Sequence, residues 1–181
     1  MSEVLVVLIV LGVLGVAVAV GYNTLIRAKV QVEEAWAQID VQLKRRYDLI
    51  PNLIETVKGY ASHEAQTFQK VTEARANAIN ASDPKSQAKA ENMLSDALKS
   101  LFAVSESYPN LQASQNFLQM QEELSTTENK IAFARQYYND SVQKLNTLRS
   151  TFPLLLLKNV APAKDFFEAD ATEKEVPKVK F

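Results

Sequence analysis

The sequence predicts an all-α protein: an N-terminal transmembrane helix followed by an antiparallel bundle of three to four long helices. Three observations predict it. Val4 to Val20 is unbroken apolar sequence. Only one of the four glycines, Gly59, lies beyond residue 21, too few for a sheet whose tight hairpins need positive φ. The rest of the chain repeats apolar residues at spacings of three and four, broken by prolines and filled with Ala, Gln, Glu, Lys and Leu, which are strong helix formers.

The anchor comes first. With Gly21 and Tyr22, the apolar run reaches the about 20 residues needed to cross about 30 Å of hydrocarbon. A cleaved signal peptide ordinarily has a basic start, a shorter apolar core and a small-residue cleavage site. Ala17 and Ala19 could imitate such a site, but only Ser2 and Glu3 stand between Met1 and the run, and the run is long. A retained span over residues 1–26 is the expectation, in contact with the lipid bilayer from Val4 to Tyr22. Tyr22 stands where an interfacial aromatic belongs. Arg27 and Lys29, then Lys44, Arg45 and Arg46, follow the span, and the positive-inside rule puts the basic flank in the cytoplasm. The expected arrangement is a single pass through the inner membrane of a bacterial cell, N-terminus outside, bundle cytoplasmic. Gly15 with Ala19, and Ala17 with Gly21, have the four-residue spacing that pairs helices in lipid. Chance gives the same spacing in an Ala- and Gly-rich span, so a homo-oligomer stays an open alternative.

The bundle is expected over residues 27–152. Its first segment, about Arg27 to Ala81, carries the stripe Val32, Trp36, Ile39, Leu43, Tyr47, Ile50, then Leu53, Ile54, Val57, Tyr60, Phe68 and Val71. Pro51 interrupts it, and a kink or short break is expected there. Ser82 or Asp83 caps the next helix, with Pro84 in its first turn. That helix runs from about Lys85 to Glu106, with Leu94, Leu98, Leu101, Phe102 and Val104 on its apolar side. Ser107 to Asn110 turns the chain. The last long helix spans about Leu111 to Ser150, its stripe being Phe117, Leu118, Leu124, Ile131, Tyr138, Val142, Leu145 and Leu148. Short connections make neighbouring helices antiparallel. Residues 153–181 are expected as an irregular segment whose Leu154 to Leu157 and Phe166-Phe167 need cover on the bundle, ending in a mobile charged tail from Glu168 to Lys180.

Several chemistries are excluded. The chain has no cysteine and one histidine, His63, so thiolate chemistry, Cys-based zinc sites and di-iron Glu-x-x-His patterns are absent. Ser62 and His63 are adjacent and point in different helical directions, which makes no triad; His63 reads as a partly exposed helix residue. No glycine-rich phosphate loop is present. All 20 basic and 20 of the 21 acidic residues follow the anchor, so the soluble part is neutral and has no electrostatic pull towards nucleic acid. Glu33-Glu34, Glu122-Glu123 and Lys44-Arg45-Arg46 are consecutive, spread around their helices, and read as solvated charge. No enzyme activity, cofactor or metal is expected.

One polar pattern stands out. Glu128 and Arg135 fall in register with Leu124, Ile131 and Tyr138, and Arg46 and Asp48 lie close to the first stripe. A charge at a core position must be paired. The expectation is an inter-helix ion-pair network of Glu128 and Arg135 with Arg46, Asp48 or Asp40, fixing helix register or forming a partner site.

The block AWAQIDVQLKRRYDLIPNL, from Ala35 to Leu53, resembles the signature of the LemA family. Val57-Lys58-Gly59-Tyr60, His63-Glu64, Ala74-Arg75, Glu106, Tyr108-Pro109, Asn116-Phe117, Thr127 to Ile131, Ala134-Arg135, Tyr138-Asn139 and Val176 to Phe181 are similar to it too. The chain departs from the pattern over Leu154 to Lys164, where the usual Gly-Phe-containing stretch is absent. The resemblance implies a bacterial, membrane-anchored bundle of long helices without an established activity. The shared polar positions it implies are Asp40, Arg45, Arg46, Asp48, His63, Glu64, Glu128, Arg135 and Asn139, as structural or partner contacts and none as catalytic. The resulting expectation is a membrane-tethered interaction or scaffold protein with an unidentified protein partner. The alternative is an extracytoplasmic ligand-binding or sensory helical bundle, which needs the opposite topology.

Overall fold

The computed structural model describes residues 2–168, which are mostly helical and contain no strand. The expected mobile tail lies, from residue 169 onward, outside the described residues. Helix α1 runs unbroken from Ser2 to Lys58. Its first part, Val4 to Val20, packs against no other element among the described residues: the large side chains there are 51% to 65% exposed. From Gly21 on, the buried positions Leu25, Ala28, Val32, Ala35, Ile39, Leu43, Arg46, Ile50 and Val57 step by threes and fours into the core.

Pro51 does not break α1, correcting the expected short interruption. Its ring faces solvent. A proline removes the N–H that would reach the carbonyl four residues back, here Tyr47. Arg75 of the next helix supplies the missing donor: its Nε reaches the Tyr47 carbonyl at 2.8 Å. The helix ends at Lys58, just before Tyr60 and Ala61 both donate to the Val57 carbonyl, at 3.0 and 2.9 Å.

Helix α2 (Ala65–Ile79) returns antiparallel to the second part of α1. Helix α3 (Pro84–Ser105) starts at Asp83, whose carboxylate accepts from Lys85 N and Ser86 N while the Ser86 hydroxyl accepts from Asp83 N, a capping box with Pro84 in the first turn. A single turn, α4 (Pro109–Gln112), precedes α5 (Gln115–Ser150). The last long helix thus begins four residues later than its stripe suggested, because Leu111 is buried from the short α4 instead. Tyr60 and Leu118, read as stripe residues, are about half exposed.

Helix α5 lies antiparallel on α1, with Trp36 edge-on to Tyr138 at 5.2 Å and Arg45 beside Glu123. At the end far from Val4 to Val20, α2 and α3 complete a four-helix section. Nearer to Gly21, α1 and α5 continue as a pair. A 3-10 turn, Leu154–Leu157, then leads an extended segment back along α5. Four α5 side chains hold that segment by its backbone. Arg149 donates to the Ala161 carbonyl, Tyr138 to that of Asp165, and the amides of Asn146 and Asn139 bond both the N–H and C=O of Lys164 and Phe167. Ala161 and Phe167 are the buried anchors, Phe167 sitting 5.8 Å from Trp36.

Candidate functional site

The most polar part of the core lies where α1, α3 and α5 meet. The α1 stripe puts Arg46 and Tyr47 inside, 3% and 9% exposed. Opposite them α3 presents Gln87 and Glu91, both buried and one turn apart. Arg46 Nη1 donates to Glu91 Oε2 at 2.8 Å, and Nη2 reaches Ser95 Oγ at 2.8 Å and Glu128 Oε2 at 3.1 Å. The Tyr47 hydroxyl donates to Glu91 Oε1. It accepts from Gln87 Nε2 at 2.8 Å, and Gln87 also reaches the Ala78 carbonyl at 3.1 Å. Burial foremost, then the bond to Glu91 and its charge, push the Tyr47 phenol far above its usual range.

Every member of this network has a partner, and the buried guanidinium is met by two carboxylates. Low local dielectric strengthens such bonds when all are made and penalises any that is lost. A neutral phenol on a carboxylate already claimed by a guanidinium is a poor nucleophile or base, the Ser95 hydroxyl is bonded to Arg46 with no general base beside it, and no thiol or imidazole stands within the cluster. Among the described residues no group of three or more His, Asp or Glu could hold a metal. A cavity of about 260 Å³ opens beside Arg46, lined mainly by Leu98, Phe102 and Leu124, with Glu128 at its rim.

The nine polar positions singled out in the sequence divide into groups. Arg46 and Glu128 meet as expected. Arg135 does not join them: two turns along α5 its neighbour is the C-terminal segment, and its guanidinium lies 5.9 Å from the centre of the Phe167 ring. Asn139 grips the Phe167 backbone. Asp40 and Asp48 are solvent-exposed, which removes them from the expected network. Arg45 is half exposed and 3.9 Å from Glu123. His63 is exposed in the loop between α1 and α2, not in a helix, and Glu64 accepts from the Tyr108 hydroxyl at 3.3 Å. The sequence reading missed Glu91, Gln87 and the polar role of Tyr47. The signal was available: Gln87 and Glu91 precede Leu94 and Leu98 at the same spacing of three and four, so they sit on the α3 core stripe.

A second feature lies on the other side of the α1–α5 pair. Val41, Phe133 and Tyr137 are 62%, 75% and 40% exposed and line a groove with Ala37 and Ala134. At its floor Gln42 Oε1 is buried without a hydrogen-bond partner.

A family model described as the LemA family matches residues 35–181. The chain is similar to Protein LemA of Metamycoplasma hominis, with 28% identity over 131 residues. That match takes in 72% of this chain and 60% of the relative, so the chain covers less than two thirds of that protein's length.

Proposed function

The chain belongs to the LemA family, and from that premise we propose that it is a membrane-anchored, non-catalytic interaction protein. One observation carries this reading: α1 is a single helix whose first third is wholly apolar and solvent-facing, and whose remainder is the central rod of the bundle. An apolar helix surface on every side is stable only in lipid or buried in protein, and only 6% of the most apolar window is buried. The basic flank at Arg27, Lys29 and Lys44 to Arg46 supports an arrangement with the bundle on the cytoplasmic side of a bacterial inner membrane.

The Val41–Phe133–Tyr137 groove is the surface for a protein partner. A partner helix seated there would cover the apolar strip and bring a donor to Gln42 Oε1, since an orphaned buried acceptor costs about 1–3 kcal/mol until it is met. A photoreactive residue in place of Phe133, irradiated in native membranes, tests this. The expected result is one discrete protein adduct that a second change, Val41→Asp, abolishes. Capture no greater than from an exposed control at Gln66 contradicts it, and an adduct of twice the chain's mass makes the partner a second copy.

The cavity beside Arg46 favours the second reading, a ligand-binding bundle. Against it, Glu128 and Glu91 already compensate the guanidinium, so an anionic ligand would have to displace an acid that costs nothing to leave in place.

A further inference from the structure

We propose that the turn at residues 152–157 is a second membrane contact, a shallow apolar wedge that enters the bilayer interface beside the span. The proposal rests on the membrane-anchored reading and deepens it. The 3-10 turn packs on α1 at Gly21, the residue directly after the apolar run Val4 to Val20. Contact there is close: a Cβ on Gly21 would stand 2.8 Å from Leu154 Cδ2 and 3.4 Å from Leu157 Cδ1. Gly21 is therefore the seat of this turn, which accounts for a small residue in the span without any helix pairing.

The turn divides its leucines. Leu154 and Leu157 face α1 and are half-buried, whereas Leu155 and Leu156 point away, 44% and 77% exposed, beside Phe152 at 82%. In a soluble protein three neighbouring apolar side chains so exposed would be an aggregation liability. Their height on α1 gives them an occupant. A span of about 20 residues ends near Tyr22, so a turn seated on Gly21 lies at the boundary between hydrocarbon and headgroups. Phe152, Leu155 and Leu156 belong to the turn seated on Gly21, where the apolar run of α1 ends, and the exposed Lys158 follows them as a flank suited to the headgroup layer. Two contacts at one height, span and wedge, restrain the tilt of the bundle where a lone helix would leave it free.

The chain has no cysteine, so single cysteines can carry an environment-sensitive fluorophore. Full-length protein labelled at Val13, Leu156 or Ser107 is placed in phosphatidylcholine–phosphatidylglycerol vesicles containing lipids brominated either near the headgroup or deep in the chain. The expected result is deep quenching at 13, shallow quenching at 156 and none at 107. A label at 156 that behaves like 107 while 13 is quenched overturns the wedge and leaves the anchor standing. A label at 156 that is shielded from water yet unquenched by lipid also overturns it, because a second copy then covers the patch. An unquenched label at 13 removes the anchored reading and the wedge with it. Labelling at Phe152, with Leu156 intact, should reproduce the shallow quenching; its absence at both sites rejects the proposal.

Discussion

Arg46 holds a full charge with 3% of its surface in water, so the groups around it decide its worth. Removing one partner of a buried ion pair leaves an uncompensated charge and costs about 3–5 kcal/mol, whereas replacing both with apolar groups of similar size is often neutral. Arg46→Met alone, which strands the buried Glu91, should lower the unfolding free energy measured in urea by that order, and Arg46→Met with Glu91→Leu should recover most of the loss. Glu128, half exposed, should matter far less, on the order of 0.2–1 kcal/mol. The phenols give a pH test. Burial, with a smaller effect of Asp165, pushes Tyr138 up to about 12, and Tyr47 lies higher still. In the unfolded chain both ionise near 10. The neutral phenols therefore contribute their stability fully below about pH 10 and lose it as pH rises through the folded values. Absorbance at alkaline pH should show a late-ionising component, arriving with loss of helicity, that Tyr47→Phe and Tyr138→Phe each reduce. Half of this network was legible in the sequence. Glu128 and Arg46 betray themselves by sharing spacing with Leu124, Ile131 and Leu43. Arg135 shares it too, yet the helix opposite is gone at its level and an aromatic ring takes its place. Register says that a residue faces inward; it cannot say what stands across from it.

At the scale of single elements the unexpected piece is α1 running through Pro51. An interior proline ordinarily costs about 3 kcal/mol. Here its freed carbonyl is met by Arg75 from α2, a charge-assisted bond that no local reading could anticipate because it spans 28 residues. A double-mutant cycle checks it. Arg75→Ala should cost about 1–3 kcal/mol with Pro51 present. In a Pro51→Ala background residue 51 regains its N–H and the cost should shrink to near zero; equal costs in both backgrounds would disprove the coupling. The start of α3, by contrast, was legible from Ser82-Asp83-Pro84 alone, since capping is a local matter of side chain and backbone. The Ser86 hydroxyl, then the backbone N–H groups, hold the Asp83 carboxyl below its usual range. The cap therefore contributes fully above the unfolded carboxylate value of about 4 and is lost as pH falls through the folded one. Asp83→Ala should lower the melting temperature at neutral pH and make less difference in acid.

On the scale of the whole molecule, α1 is the organising part. Its 57 residues at about 1.5 Å each make a rod of about 85 Å, of which the first third has no neighbouring element among the described residues. No loop separates apolar rod from bundle, so the bundle follows the attitude of the apolar helix. The long apolar helix, the helical class and the antiparallel packing were readable because hydropathy and periodicity are properties of the chain alone. The seating of the last segment was not, because it depends on Asn139, Asn146 and Arg149 reaching backbone groups far along the chain. The anchored arrangement is tested most directly by access of a membrane-impermeant thiol reagent to single cysteines at Ser2 and Ser107, at opposite ends of the molecule. In intact cells the cysteine at 2 should react at once and that at 107 only after permeabilisation. Reaction at 107 in intact cells would reverse the topology, and two cysteines equally inaccessible until lysis would mean that the chain does not cross the membrane at all.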